Sequence, residues 1–517
     1  VTRPRRGDLV AGVTVAMVLV PQSIAYAALA GLPPQAGLYA AAAAPLLAAP
    51  VGSSPYLQTG PVALTSLLVV GALAPVAPAG SSEHVALAAL LALVVGAVRV
   101  LVGVTRTGVV AYLMSQPVVT AFTLAAAALI VCSQVPALVG LASPSGSPVA
   151  GAADALATPG EWSPAALGVA VAVGVITLTA RRIHPLVPGA LLGSLAAVLL
   201  VRWTSLDVPV VGDIPSGFPV PSLDLPWSQL PALLLPGLVI ALVGFAEPAS
   251  IARKYAGADR SAWDPDREFV GQGLANVGAG LVGGYPVGGS FSRSALNRLS
   301  GARTRWSGFV TGACVAAVLP FSHLLAGLPD AALAGLVIAS VLPLLDPRPV
   351  LRTWRLSRPQ LVVAAITLVV SVAAAPQVQW GVVAGVLASL AVHLWRELGL
   401  DVEVWRTGST LHVRPQGVLY FGSAPRLESL VLAELAGHPD LVLVQLELQR
   451  LGRIDLTGAL VLRDISRDLG RGGTAVVVSG VQPQWRQLVE SVFADEPVHY
   501  TRSVRPPDPP RRRGDGP

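Results

Sequence analysis

The sequence predicts an α-helical membrane protein of fourteen transmembrane segments, arranged as seven plus seven inverted repeats, followed by a small α/β domain. Three observations carry that expectation. Of 517 residues, 53% are apolar and only 12% charged, whereas soluble domains carry roughly 25% charge. The charges fall between apolar runs in an alternating pattern. Finally, two apolar runs, one in each half, are interrupted in the same way.

A bilayer-crossing helix needs about 20 apolar residues, and segments long enough or nearly so are centred near Ala16, Ala42, Ser66, Leu93, Ala125, Val171, Leu195, Val239, Val277, Ala295, Ala316, Ile338, Thr367 and Ala388. Arg3, Arg5 and Arg6 precede the first segment. Arg99 and Arg106 follow the fourth, Arg181 and Arg182 the sixth, and Arg253, Lys254, Arg260 and Arg267 the eighth. Arg298, Arg303 and Arg305 follow the tenth, Arg348, Arg352, Arg355 and Arg358 the twelfth, and Arg396 the last. All fall on one side. The opposite loops hold Glu83, Asp154, Glu161, Asp207, Asp213, Asp224 and Asp330, with Arg202 the one clear cation. The positive-inside rule then places both termini of a multi-pass protein in the cytoplasm, and the expected location is a bacterial inner membrane. The net charge of +6 is thereby topological; it is spread between segments rather than gathered into a nucleic-acid-binding face.

The basic start and the Ala28-Leu29-Ala30 triplet mimic a secretory signal, but the apolar run continues into a second segment, so it is read as a membrane helix. Cys132 and Cys314 lie in apolar segments, are expected to be buried, and offer neither a disulfide framework nor a metal site.

Residues 1–397 are expected to form the membrane domain, with repeats over about 8–203 and 230–397 separated by the Pro-rich stretch Asp207 to Pro226. Seven is odd, so the halves must face opposite ways across the bilayer. After Arg396 charges become frequent. Strands are predicted at Val402 to Trp405, Thr410 to Arg414, Val418 to Phe421, Leu441 to Glu447 and Thr474 to Ser479, with helices at Thr457 to Leu469 and Gln482 to Phe493. This α/β domain covers 398–500, and 501–517 has the Pro and charge content of a disordered tail.

The interruptions are Ser53 to Pro61 and Gly283 to Arg293, each read as extended backbone followed by a short helix. Unpaired backbone inside a bilayer costs several kcal/mol and persists only against protein or a water-filled cavity. A matched pair therefore marks a transporter's substrate site. Pro61 suits the first helical position. Gly288 and Gly289 permit close approach, and Ser290, Phe291, Ser292 and Arg293 open a helix. Two helix N-termini, each with roughly half a positive charge, favour an anion. Arg293 adds a whole charge, or else anchors the segment by snorkelling toward the cytoplasm. Gln22 and Tyr26, four residues apart, share a helix face and can offer an amide and a ring; Tyr26 also suits an interfacial belt.

Glu247 is the one acid this reading places inside a membrane segment. An ionised carboxylate is expensive there, so proton uptake becomes possible, or the group pairs with Arg293 or Lys254. Gln272 and Asn276 read as interhelical hydrogen-bonding residues rather than ligands.

These motifs, from Pro21-Gln22 through Tyr26 to Gly37-Leu38-Tyr39, Gly52 to Ser54, Gly60-Pro61 to Ser66, Glu268 to Asn276, Gly284 to Asn297 and Gly301 to Thr304, resemble those of the SulP/SLC26 anion transporters. The C-terminal part is similar to the family's STAS domain, with Asp455, Thr457 and Gly458 at the turn where related domains carry an Asp-Ser-Gly type sequence. The resemblance implies a UraA-like fold with core and gate domains and a homodimer. It places the substrate between the third and tenth helices, touching Gln22, Tyr26, Gly60, Pro61, Gly289, Ser290, Phe291, Ser292 and Arg293, with Glu247 as the proton-coupling acid. Thr457 is treated as structural, and no cofactor or metal is implied. The expected function is proton-coupled symport of a small anion such as sulfate, bicarbonate or a dicarboxylate like fumarate. Rival readings are a passive anion channel or exchanger, a nucleobase:proton symporter of the same architecture, a membrane-anchored sensor and, least supported, an enzyme.

Overall fold

The computed structural model describes residues 3–112, 115–142, 146–184, 186–204, 206–397, 399–494 and 499–501. The chain divides into two compact units, Val1–Ser389 and Leu390–Pro517.

In the first unit α1 spans Arg6–Leu29, α2 Pro34–Ala48, α3 Ala63–Leu73, α4 Ser82–Val104, α5 Gln116–Leu138, α6 Pro148–Ala157, α7 Pro164–Ile183 and α8 Gly189–Thr204. The second half runs α9 Leu230–Asp259, α10 Pro265–Leu281, α11 Phe291–Leu299, α12 Trp306–Val318, α13 Asp330–Val341, α14 Arg348–Leu356, α15 Arg358–Ala373 and α16 Gln379–Glu397. Each of the fourteen predicted centres lies inside a helix. Six helical stretches among the described residues are long and apolar enough to cross a membrane. Two helices were not anticipated. α6 lies between the fifth and sixth predicted segments, and α14 carries Arg348, Arg352 and Arg355, where the sequence places only a connection after the twelfth segment.

Helix starts follow local chemistry. Ser81 Oγ accepts the His84 N–H at 3.1 Å to begin α4, and Asp264 caps α10 by accepting from Asp266 and Arg267, supplying acceptors for first-turn donors that lack a helical partner. Side by side, α4 and α10 approach through glycine: a Cβ on Gly96 would lie 2.8 Å from the Gly273 carbonyl oxygen, and one on Gly273 would lie 2.9 Å from that of Gly96. Small residues allow membrane helices this backbone contact.

Cys132 and Cys314 are free but partly exposed rather than buried. An outward position on a membrane helix meets acyl chains, which an apolar thiol tolerates as well as a core.

The second unit holds a sheet of β3 (Asp401–Thr407), β4 (Thr410–Leu419), β5 (Leu443–Glu447), β6 (Leu451–Ile454), β7 (Ala475–Ser479) and β8 (His499–Thr501), with α17 (Ala424–Gly437), α18 (Leu456–Arg471) and α19 (Pro483–Val492). β3 pairs antiparallel with β4, and β4–β5–β7–β8 are parallel, with β6 also alongside β4. The core includes Leu411, Val413, Val444, Leu446 and Leu462. The two strands expected at 410–414 and 418–421 are one, because Gly417 at φ +110° absorbs a register shift where breaks in pairing were expected. Helix α17, β6 and β8 were not foreseen. Asp455 caps α18 through the Gly458 N–H at 2.7 Å, and Thr457 is exposed. Residues 502–517 of the predicted tail lie outside the described residues.

Candidate functional site

The two interruptions meet. Strand β1 (Thr59–Gly60) pairs antiparallel with β2 (Gly288–Gly289), setting Thr59 opposite Gly289 and Gly60 opposite Gly288. Side chains supply the rest of the backbone's partners. The Gln58 N–H donates to Ser294 Oγ at 2.9 Å and the Ser290 N–H to the Gln58 carbonyl at 3.1 Å. Asn276 accepts from the Val287 N–H at 2.9 Å while its Nδ2 donates to the Val287 carbonyl, and Gln272 Nε2 donates to Thr59 Oγ1 at 2.7 Å. Gln272 and Asn276 thus hold the breaks: the hydrogen bonds expected between helices run instead from α10 to the two extended segments.

Ser290 is the N-cap of α11, its Oγ accepting from the Arg293 N–H, and Ser292 Oγ lies 3.2 Å from it. Pro61 is not the first residue of α3, as expected; Val62 is extended at φ −141° and the helix begins at Ala63. The β1–β2 pairing keeps the chain extended through the proline before it can turn.

Arg293 is the centre of the arrangement, at 1% exposure. Its Nη1 donates to Gln22 Oε1 at 3.3 Å, and Gln22 Nε2 donates onward to Ser340 Oγ of α13. Nη2 packs against Gly60, where a Cβ would lie 3.6 Å away. Its Nε and Nη2 have no hydrogen-bond partner. This buried side chain does not snorkel. Tyr26 is buried on the same face of α1 as Gln22.

Glu247 does not form an ion pair with Arg293 or Lys254 among the described residues. Its Oε1 accepts the Phe291 N–H at 3.2 Å, so a carboxylate sits at the first donor of α11. Phe291, 39% exposed, and Glu247 line a cavity of about 350 Å³ with Thr120, Thr123, Ser250 and Asp346. A second cavity of about 700 Å³ shares Gln116, Thr120, Asp346 and Pro349 with the first and reaches Arg348 and Arg352. Arg293, Gln22 and Pro61 are not among the residues that line either cavity.

Two other acids, Asp8 and Glu268, are buried more fully than Glu247. Asp8, in the first turn of α1, accepts from the backbone of Arg5, Arg303 and Thr304 and from Thr304 Oγ1. Glu268 accepts from the Ser53 and Ser54 N–H groups at 3.0 and 2.8 Å and fixes the start of the first break. Glu268, Gln272 and Asn276 form a polar stripe at steps of four along α10, which was the readable signal. Arg99, expected in a loop, lies inside α4 at 0% exposure and donates to the Ile240, Ala241 and Val287 carbonyls.

Helices long enough to cross a bilayer, broken twice where a buried guanidinium waits, define a polytopic membrane transport protein. Residues 6–367 match the sulfate permease family and residues 401–504 the STAS domain. The chain belongs to that family and carries a STAS domain. It is 36% identical over 397 residues to a probable sulfate transporter of Mycobacterium tuberculosis (strain CDC 1551 / Oshkosh), covering 75% of this chain and 69% of that one. Its fold matches murine Solute Carrier 26 family member A9, an anion transporter in the inward-facing state, at TM-score 0.88 and 21% identity, over 96% of this chain and 89% of that one. The transmembrane domain of a cyanobacterium bicarbonate transporter matches at TM-score 0.63 and 23% identity, over 74% and 97% of the two chains.

Proposed function

We propose that the chain is a secondary active transporter that carries a small anion, such as sulfate, bicarbonate or a dicarboxylate like fumarate, together with protons by alternating access. The observation that carries this reading is the pair of unpartnered nitrogens on buried Arg293 beside Gly60, where β1 and β2 join. Dehydrated donors of a guanidinium are costly unless something accepts from them, and a bidentate oxyanion fits their geometry. The anion would also meet the first turns of α3 and α11, near Gln22, Tyr26, Gly60, Pro61, Gly289, Ser290, Phe291 and Ser292. The names of the relatives favour sulfate among the candidates.

Coupling follows from Glu247 occupying the Phe291 N–H. An ionised Glu247 competes with the anion for the α11 terminus, and protonation removes the competitor. Affinity therefore falls as pH rises through the titration of Glu247, because the unprotonated carboxylate returns to Phe291. The protein resides in a bacterial plasma membrane as a homodimer with both termini cytoplasmic, and 1–397 moves the anion while 398–500 serves from the cytoplasm.

The test is uptake by purified protein in liposomes, with labelled sulfate challenged by bicarbonate and fumarate at several inside and outside pH values. Accumulation driven by an inward proton gradient, abolished by Arg293→Ala, is the expected result. Flux that never exceeds equilibrium would make the protein a passive conductance instead.

A further inference from the structure

We infer that Arg99 is a specificity-determining residue: it supplies a second fixed positive charge beside that of Arg293, so that the site carrying its proton on Glu247 is neutral only around a doubly charged anion. The inference rests on the anion-transport reading above and narrows it.

Arg99 is fully buried in α4. Its Nε donates to the Ala241 carbonyl at 3.0 Å, Nη1 to Val287 at 3.0 Å and Nη2 to Ile240 at 3.3 Å. All three acceptors are neutral, and among the described residues no carboxylate lies within ion-pair distance of it. Carbonyl dipoles solvate the charge without cancelling it. A guanidinium does not deprotonate in proteins, so the charge is permanent.

Its position ties it to the site. Val287 leads directly into Gly288 of β2, which pairs with Gly60, the residue against which Arg293 Nη2 packs. On α9 the guanidinium fills the space over Gly244, where a Cβ would come within 2.7 Å of Nη2. Three residues later on the same helix stands Glu247, holding Phe291. The stretch Val287 to Phe291 is therefore fastened to α9 at both ends, permanently by Arg99 and reversibly by Glu247.

The charges facing the site can then be tallied by element. α4 gives Arg99, α11 Arg293 and α9 Glu247, while α1 and the second break give the phenols Tyr26 and Tyr285. Asp346 at the cavity rim has Arg348 3.8 Å away, Arg253, whose Nε donates to the Ala249 carbonyl at 3.3 Å, and Lys254 are exposed further along α9, and Glu268 shares a small cavity with Arg305. Two cations and one carboxylate leave one net positive charge; protonating Glu247 leaves two. Uncompensated charge in a low-dielectric interior is strongly unfavourable. With the proton on Glu247, a dianion such as sulfate or a dicarboxylate closes the balance and a monoanion does not; a monoanion balances the site only when Glu247 is ionised.

The experiment measures Kd for sulfate and for nitrate with purified full-length protein, in wild type, Arg99→Met and Arg99→Lys, at two pH values. Wild type should prefer sulfate, the more so at the lower pH. Arg99→Met should lose about tenfold in sulfate affinity with about twofold or less change for nitrate. Arg99→Lys, which keeps the charge but sheds carbonyl bonds, should keep the sulfate-to-nitrate ratio. Equal losses for both anions in Arg99→Met would reduce Arg99 to scaffolding. If Arg99→Met does not fold, Arg99→Lys decides: a preserved ratio supports the role of charge, and a collapsed ratio overturns it. Arg293→Met separates the two levels, since intact binding of both anions in that variant sinks the anion site itself, whatever Arg99 does.

Discussion

Two buried arginines, Arg293 in the membrane unit and Arg414 in the STAS unit, are both nearly without exposure, at 1% and 3%, and opposite in their surroundings. Arg414 is saturated. Its Nη2 and Nε meet Glu447 Oε2 at 2.7 and 2.8 Å, Nη1 meets Glu403 Oε2 at 3.4 Å, and the guanidinium lies 4.6 Å from the Trp405 ring centroid. Arg293 has one bond, to a neutral amide, and two idle nitrogens. A buried cation that is fully met belongs to the scaffold, whereas one left partly unmet keeps its donors for a ligand. The difference predicts opposite responses to mutation.

The largest expected effect is Glu447→Ala. It would strand Arg414, and breaking one side of a buried pair costs about 3–5 kcal/mol. His412, whose Nδ1 lies 3.3 Å from Glu447 Oε1, loses its partner as well. Hydrogen exchange on the full chain should show protection collapsing across 401–494 while the membrane helices keep theirs. A loss below about 1 kcal/mol would remove the contrast drawn here.

Next in size is Arg293→Met. Charge-assisted hydrogen bonds contribute about 1.5–3 kcal/mol, so sulfate affinity should drop roughly 10–100-fold. The ligand-free protein should melt nearly where wild type does, because the lost bond to Gln22 is offset by removing a dehydrated charge. Thermal unfolding with and without sulfate checks both halves. Strong destabilisation without ligand would place Arg293 in the same class as Arg414.

How much of this was legible beforehand depends on what packing adds to pattern. The breaks at Ser53 to Pro61 and Gly283 to Arg293 announced themselves, because Gly, Pro and Ser interrupt apolar runs; that they pair as β1 and β2 is visible only in the fold. Arg99 was misplaced because a cation near a segment end reads as topological; only the carbonyls of α9 and Val287 reveal it as interior. Gly96 and Gly103, three residues before and four after it, lie on the same helix face and were the available hint that this face meets protein. Glu247 was located correctly, but its partner was not, since a backbone N–H leaves no mark in sequence. The β4 strand was split in two because Pro415 and Gly417 read as breakers, although a bulge carries the strand through.

A smaller effect, and a sharper probe of Arg293's surroundings, is Glu247→Gln. The amide oxygen can still accept the Phe291 N–H but cannot ionise, so no charged competitor appears there as pH rises. Between a pH where Glu247 is protonated and one where it is ionised, wild-type affinity should fall by up to tenfold per pH unit, about 1.4 kcal/mol. The variant should bind equally at both. Sulfate titrations across pH in the two proteins decide the matter, and a retained slope would assign the proton to another group.

The smallest effect sets two glycines against each other. A Cβ at Gly289 would lie 2.7 Å from Leu57 Cδ1 and 3.1 and 3.3 Å from Pro248 Cγ and Cα, whereas at Gly257 in α9 nothing lies within 4 Å. Leu57 can rotate aside, but Pro248 is fixed in α9, so β2 must shift and drag the start of α11 with it. Gly289→Ala should cost about 1 kcal/mol of stability, at the low end for overpacking, and weaken sulfate binding severalfold. Gly257→Ala should instead gain about 0.5–1 kcal/mol from helix propensity and leave affinity alone. Melting curves and sulfate titrations on the pair test whether the idle donors of Arg293 owe their placement to the close approach of Gly289 to α9; equal affinities in both variants would show that they do not.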